Sequence, residues 1–277
     1  MTQKFPVIGT LILKIFFLAT ILNFAPVALS AETKREPWQV WETHIEPVAK
    51  QFPSLESVYL ILALRNVSQE IQEPGLPYQE DQPWFQWIEI YHQGKRLKPK
   101  VDHDFAYLLG SVRQGEQLSL LVALEKFYET PAKSEKGKYE LVWQGGTLGG
   151  AKTVRAEFEI DPKMKSPADI FSLSTYLQAG ETKTELWKRI LASHSDPKWI
   201  TLFRILPSDY IDPPSLIQLV RTSNDVGIRR EALRALGRVG KDIEVENLLI
   251  KFLRDQKDKP LIEFAVLSLD RLRGRTD

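Results

Sequence analysis

Between residues 37 and 161, short apolar runs, some alternating and some continuous, are separated by turn residues. Val58–Leu64 is the strongest, an unbroken apolar run closed by Arg65, Asn66, Val67 and Ser68. Trp87–Tyr91 alternates, passes through His92-Gln93-Gly94-Lys95 and resumes at Leu97, which is the pattern of a hairpin. With Trp38–Ile45, Phe105–Val112, Leu118–Leu124, Tyr139–Trp143 and Thr153–Ile160, the spacing predicts about seven strands and hence a β-sandwich.

After residue 162 the period changes. Ser166-Pro167-Ala168-Asp169, Asp196-Pro197 and Asp212-Pro213 each place a capping side chain directly before a proline, the mark of a helix start. Apolar stripes at helical spacing follow: Leu186, Ile190 and Leu191; Trp199, Leu202, Phe203 and Leu206; Leu216, Leu219 and Val220. Two-turn pieces of this kind bury their apolar faces only by stacking on one another. A shift of the chain by 33 residues places Leu216, Leu219, Val220 and Arg221 on Leu249, Phe252, Leu253 and Arg254. The same shift places Asp225 on Asp258, Ala232 on Ala265 and Leu233 on Val266. Each unit therefore reads as helix, short turn with a capping Asp, and second helix, with Gly240 as a stop.

Both halves carry a resemblance. Glu135-Lys136-Gly137-Lys138-Tyr139-Glu140-Leu141 resembles the stretch around the tyrosine corner of immunoglobulin-like domains. That resemblance implies that Tyr139 bonds back to the preceding loop and that Leu141 stands in the place of the strand F cysteine. It also implies Trp87 as the core tryptophan, and Leu62 or Leu64 in the place of the strand B cysteine. The chain departs from the family in having no cysteine and a long Pro-rich connection from Glu73 to Pro83. Ile228–Gly240 resembles the second helix of HEAT repeats, including the short HEAT-like kind seen in phycobilin lyases, with Ala232 as the small residue at the helix seam. The fold expected is thus an all-β immunoglobulin-like sandwich over 32–161, then an all-α HEAT-like short solenoid over 162–277.

The first 31 residues read as a signal peptide. Lys4 and Lys14 precede the apolar Ile15–Ala25, Pro26 breaks a helix, and Ala28-Leu29-Ser30-Ala31 supplies small residues for cleavage after Ser30 or Ala31. The competing reading is an uncleaved anchor over 5–29, against which Lys14 at mid-span costs ~2.5–3.5 kcal/mol. An exported protein, periplasmic or extracellular, is expected, with membrane association only if the segment stays uncleaved.

Composition narrows the function classes. With 43% hydrophobic and 26% charged residues the chain is an ordinary folded one, and no cysteine means no disulfide, thiolate nucleophile or cysteine zinc site. A formal charge of +1 gives no general affinity for nucleic acid. His44, His92, His103 and His194 include no pair at helical metal spacing, and Asp102-His103-Asp104 reads as a solvated loop. Gly145-Gly146 and Gly149-Gly150 lie between strands, so a flexible hairpin explains them better than a phosphate loop. Glu157 and Glu159 read as a wet strand face, and Asn66-Val67-Ser68 as a polar strand end rather than a glycosylation site. No catalytic, cofactor or metal residue is therefore expected.

Charge is divided unevenly. Residues 32–161 hold 15 Lys+Arg against 20 Asp+Glu, and residues 162–277 hold 20 against 16. Arg230, Arg234 and Arg238 stand at i, i+4 and i+8, a basic stripe placed opposite the apolar face. It reads either as a solvated face eased by Glu231 or as a contact for an acidic partner, which could be the strand region or another protein. The function expected is a non-catalytic protein-interaction or scaffold protein of the cell envelope. Two alternatives stand beside it: a carbohydrate- or envelope-binding module using Trp38, Trp41, Trp84 and Phe85, and an accessory subunit of a hydrolase.

Overall fold

The computed structural model describes residues 40–72, 88–100, 111–130, 134–144, 152–164, 171–255 and 259–274. Strands come first and helices second. The strands are β1 (Trp41–Pro47), β2 (Gln51–Phe52), β3 (Tyr59–Asn66), β4 (Ile88–His92), β5 (Lys95–Arg96), β6 (Gln117–Ala123), β7 (Gly137–Trp143) and β8 (Val154–Ile160). They form a three-stranded sheet in the order β1-β3-β6 and a five-stranded sheet in the order β2-β8-β7-β4-β5. The two sheets share one apolar core. They do not close into a full sandwich, because β2 and β5 contribute only two residues each.

The unbroken apolar run of β3 has a physical reason: both of its faces are covered. Leu60, Leu62 and Leu64 lie in the core between the sheets, while Ile61, with Tyr59 beside it, lies in the core under the helices. β6 divides in the same way, with Leu118, Leu120 and Val122 on one side and Leu121 on the other. A strand buried twice loses the polar alternation of a half-exposed one. β7 largely keeps that alternation, burying Tyr139, Leu141 and Trp143 and pointing Lys138 and Glu140 outward. Each fully buried Leu or Ile contributes about 1.5–3 kcal/mol.

Local expectations are met at several places. β4 and β5 are joined by Gln93 and Gly94, both at positive φ (50° and 74°), as a two-residue hairpin of the primed kind requires. The Tyr139 hydroxyl donates to the Glu135 carbonyl at 2.9 Å, and its ring stacks between His92 and Phe158. Asn66 is fully buried; its amide nitrogen donates to the Glu70 and Val112 carbonyls while its oxygen accepts from Ser68. That amide is engaged in closing the strand end and is not presented to solvent. Trp87, Trp38, Trp84, Phe85, the Asp102–Asp104 knot, Gly145–Gly150, the start at Ser166–Asp169, Asp258 and the N-terminal segment read as a signal peptide lie outside the described residues.

The helices are α1 (Lys183–Ala192), α2 (Trp199–Ile205), α3 (Pro213–Thr222), α4 (Val226–Leu236), α5 (Ile243–Asp255) and α6 (Lys259–Leu272). Thr182 and Glu185 form a capping box on α1, and Asp212 caps α3 with Pro213 in the first turn. Asp196 accepts from the Lys198 amide and opens the turn that leads into α2. The 33-residue repeat corresponds to the pairs α3–α4 and α5–α6, with second helix packed on second helix: α2 on α4, and α4 on α6. Ala232 and Ala265 are fully buried; α4 ends at Leu236 with Gly237 as its C-cap, not at Gly240, which turns the chain further on at φ 88°. Just beyond α4, Gly237 lies close to α6: a Cβ there would sit 3.0 Å from the Ser268 Cα. The described residues all belong to one compact unit.

Candidate functional site

The strand region and the helices meet at α4. Of its eleven residues eight are buried, because α3, α2, α6 and β6 surround it. Val226 belongs to the core between the sheets, whereas Ile228, Ala232, Leu233, Ala235 and Leu236 belong to the helical core.

Asp225 fastens this junction. Its carboxylate, fully buried, caps α4 by accepting from the Gly227 and Ile228 amides at 2.8 and 3.1 Å. It also reaches β6, accepting from the Ser119 amide at 3.1 Å, the Gln117 side-chain amide at 2.8 Å and the Ser119 hydroxyl. Burial pushes this carboxyl up, against the hydrogen bonds from Ser119, Gln117 and Ile228 that pull it down. The Gln117 amide donates to the Asn224 carbonyl at 2.8 Å, so the turn before α4 continues the edge of β6 for one residue. Beside it the Gly227 backbone lies so close to the Ser119 carbonyl that a Cβ there would stand 1.9 Å from the oxygen. Arg229 completes the seam with a largely buried ion pair to Glu116 at 3.0 Å.

Above this seam lies a hollow of about 250 Å³. Leu121 of β6, Ile200 of α2 and Phe264 of α6 form its apolar walls, Leu120, whose side chain lies in the core between the sheets, borders it, and Arg204, Arg230, Glu231 and Arg234 form its polar walls. The Arg230 guanidinium sits 4.4 Å from the Phe264 ring centre and that of Arg234 5.7 Å, both within cation–π range. Arg204 binds one oxygen of Glu231 through Nε and Nη2, at 3.2 and 3.0 Å, and Arg234 approaches the same oxygen at 3.8 Å. The other oxygen, Oε2, is buried and accepts no hydrogen bond.

The arginine stripe therefore stands differently from its expected place. Arg230 and Arg234 are half-buried at the cleft and are joined there by Arg204. Arg238 is drawn away from them: it donates to the Phe203 and Arg204 carbonyls and so closes the C-terminus of α2. Its guanidinium pKa is lowered by burial. Glu231, expected on an outer face, is only 8% exposed. A helical wheel assumes burial on one side, and α4 is enclosed on several. Arg229, which the spacing argument passed over, forms an ion pair from α4 to Glu116 of the acidic strand region.

Other sequence candidates resolve into structural roles. Trp41 is buried, so it offers no stacking surface to a sugar. His92 is buried beside Glu135 at 3.2 Å, and His44 pairs with Glu46 on the surface. Glu159 accepts from Gln51 at 2.9 Å. Among the described residues no three His, Asp or Glu side chains converge as metal ligands, and no helix is long and apolar enough to cross a membrane. No known protein family matches the chain, and no curated protein sequence is significantly similar to it.

Proposed function

We propose that the protein is an exported, non-catalytic interaction module whose junction cleft receives an acidic segment of a protein partner. In this reading the strand region is an immunoglobulin-like sandwich, supported by the Tyr139–Glu135 hydrogen bond, and the helices are a short HEAT-like stack, supported by the 33-residue repeat and its paired alanines. The observation that carries the functional reading is the gathering of Arg204, Arg230 and Arg234 around one half-enclosed hollow, with Glu231 the one carboxylate among the described residues that line it. Guanidinium groups held by Phe264 and by Glu231 lose little freedom on binding, and in a hollow walled by Leu121, Ile200 and Phe264 their hydrogen bonds to a carboxylate are only partly screened by water.

The test is calorimetric titration of the full exported chain with an amidated hexaglutamate peptide. Binding is expected at low salt and is expected to weaken as the screening length falls from ~10 Å at 0.1 M to ~3 Å at 1 M. Arg230→Gln with Arg234→Gln should abolish it while leaving the melting temperature and circular dichroism close to the parent. Equal binding by the double variant would refute the cleft as the contact.

A further inference from the structure

The side of α4 that receives α6 is defined by its contacts. The Arg230 and Arg234 guanidiniums lie over the Phe264 ring, the Ser268 hydroxyl donates to the Leu233 carbonyl at 2.7 Å, and Gly237 lies against the Ser268 backbone. The 33-residue repeat carries Arg230, Leu233, Arg234 and Gly237 onto Glu263, Val266, Leu267 and Asp270. That side of α6 has the register of a helix-receiving face, yet it is open: Val266 is 42% exposed and Leu267 51%. Two adjacent exposed aliphatic side chains at such a position mark a contact surface. We infer that this face is covered by the same face of a second copy of the chain, α6 against α6 in a two-fold antiparallel contact.

Charge decides the occupant. Under the repeat, the basic stripe Arg230, Arg234 and Arg238 becomes Glu263, Leu267 and Arg271, an acid, an aliphatic and a base at i, i+4 and i+8. Antiparallel pairing about Leu267 reverses that order, so Glu263 of each copy faces Arg271 of the other while Leu267 meets Leu267. An all-basic stripe repels its own image, whereas this one is complementary to it. A helix of a single charge sign would be attracted at one end of the strip and repelled at the other. Centring the pair between Val266 and Leu267 would set Glu263 opposite Asp270, two like charges, so the axis falls on Leu267. Arg271 is exposed and Glu263 half-buried, and among the described residues neither has an ion-pair partner in its own chain. The strip from Glu263 to Arg271 spans only about 12 Å of helix, so the dimer is reversible and forms on concentration. The contact does not depend on what the junction cleft binds.

The experiment is sedimentation velocity on the full exported chain over a rising concentration series, with circular dichroism of every variant to show that the fold is kept. The parent is expected to pass reversibly from monomer to dimer. Two-fold symmetry makes each substitution act twice, so Glu263→Arg, Arg271→Glu and Leu267→Gln should each weaken association at least about tenfold. Mixing the Glu263→Arg and Arg271→Glu proteins should restore it as a heterodimer, and one chain carrying both changes should dimerise like the parent. A parent that stays monomeric throughout the series would overturn the inference. So would a dimer indifferent to Leu267→Gln, or two single variants that fail to associate on mixing. A dimer lost with Arg230→Gln and Arg234→Gln but kept in all the α6 variants would place the contact at the cleft and overturn it as well.

Discussion

Replacing Gly227 by Ala tests the junction at its tightest point. On helix propensity alone the change should stabilise, since Ala exceeds Gly by about 1 kcal/mol in a helix interior. The structure reverses the sign. A Cβ on Gly227 would lie 1.9 Å from the Ser119 carbonyl oxygen, 2.8 Å from its carbon and 3.1 Å from the Asp225 carboxylate. The two backbones must part by about 1.1 Å before the first of these contacts reaches 3.0 Å, a distance that Cβ atoms essentially never undercut. Parting them stretches the Gln117–Asn224 bond and the Ser119–Asp225 bond, now 2.8 and 3.1 Å, out of hydrogen-bonding range. Overpacking of this kind costs ~1–3 kcal/mol. A buried carboxylate that loses donors adds ~1–3 kcal/mol. Against a gain of about 1 kcal/mol in propensity, the net loss is about 1–5 kcal/mol. Urea unfolding followed by circular dichroism and by tryptophan fluorescence reads it directly. Gly237→Ala, whose Cβ would meet Ser268 at 3.0 Å, should lose less. A Gly227→Ala protein as stable as the parent would show that β6 and α4 are not in contact there, and the junction as described would be wrong.

Three further outcomes are expected. Glu181 is held below the usual carboxylate range by its bidentate contact with Arg189, so its contribution is present above pH 4.5 and is lost as pH falls through its folded value; Glu181→Gln should flatten the acid side of a stability–pH curve, and an unchanged curve would contradict the pairing. Ala232→Leu should cost ~1–3 kcal/mol by overpacking the helical core, and an unshifted melting temperature would place Ala232 outside it. If the signal segment is cleaved, N-terminal sequencing of exported material should begin at Ala31 or Glu32, whereas Met1 in the membrane fraction would establish the anchor.

Local signals in the chain made much of this fold legible. The hairpin at Gln93-Gly94, the caps at Asp212 and Asp225, the Tyr139 bond and the repeat joining Ala232 to Ala265 all depend on residues close in sequence or on a strict period. What the sequence hid is long-range. Asp225 read only as a helix cap, because its partners Ser119 and Gln117 lie more than a hundred residues upstream. Glu231 read as exposed, because nothing near it shows that Arg204 will cover it. Two clues were present. Ser119 interrupts an apolar strand and Gly227 weakens the first turn of a helix; each breaks a local rule, and the structure places the two against each other. The cleft followed neither clue, since it needs β6, α2, α4 and α6 to be placed before Arg204, Arg230 and Phe264 meet.

The location of the binding surface is open to a single direct measurement, hydrogen exchange read by mass spectrometry with and without saturating acidic peptide. Slower exchange is expected in the segments that build the cleft, 117–121, 199–205 and 226–236, with little change on the outer sheet face formed by 138–144 and 154–160. Protection confined to that outer face, or spread with no maximum at α4, would contradict the assignment of function to the junction.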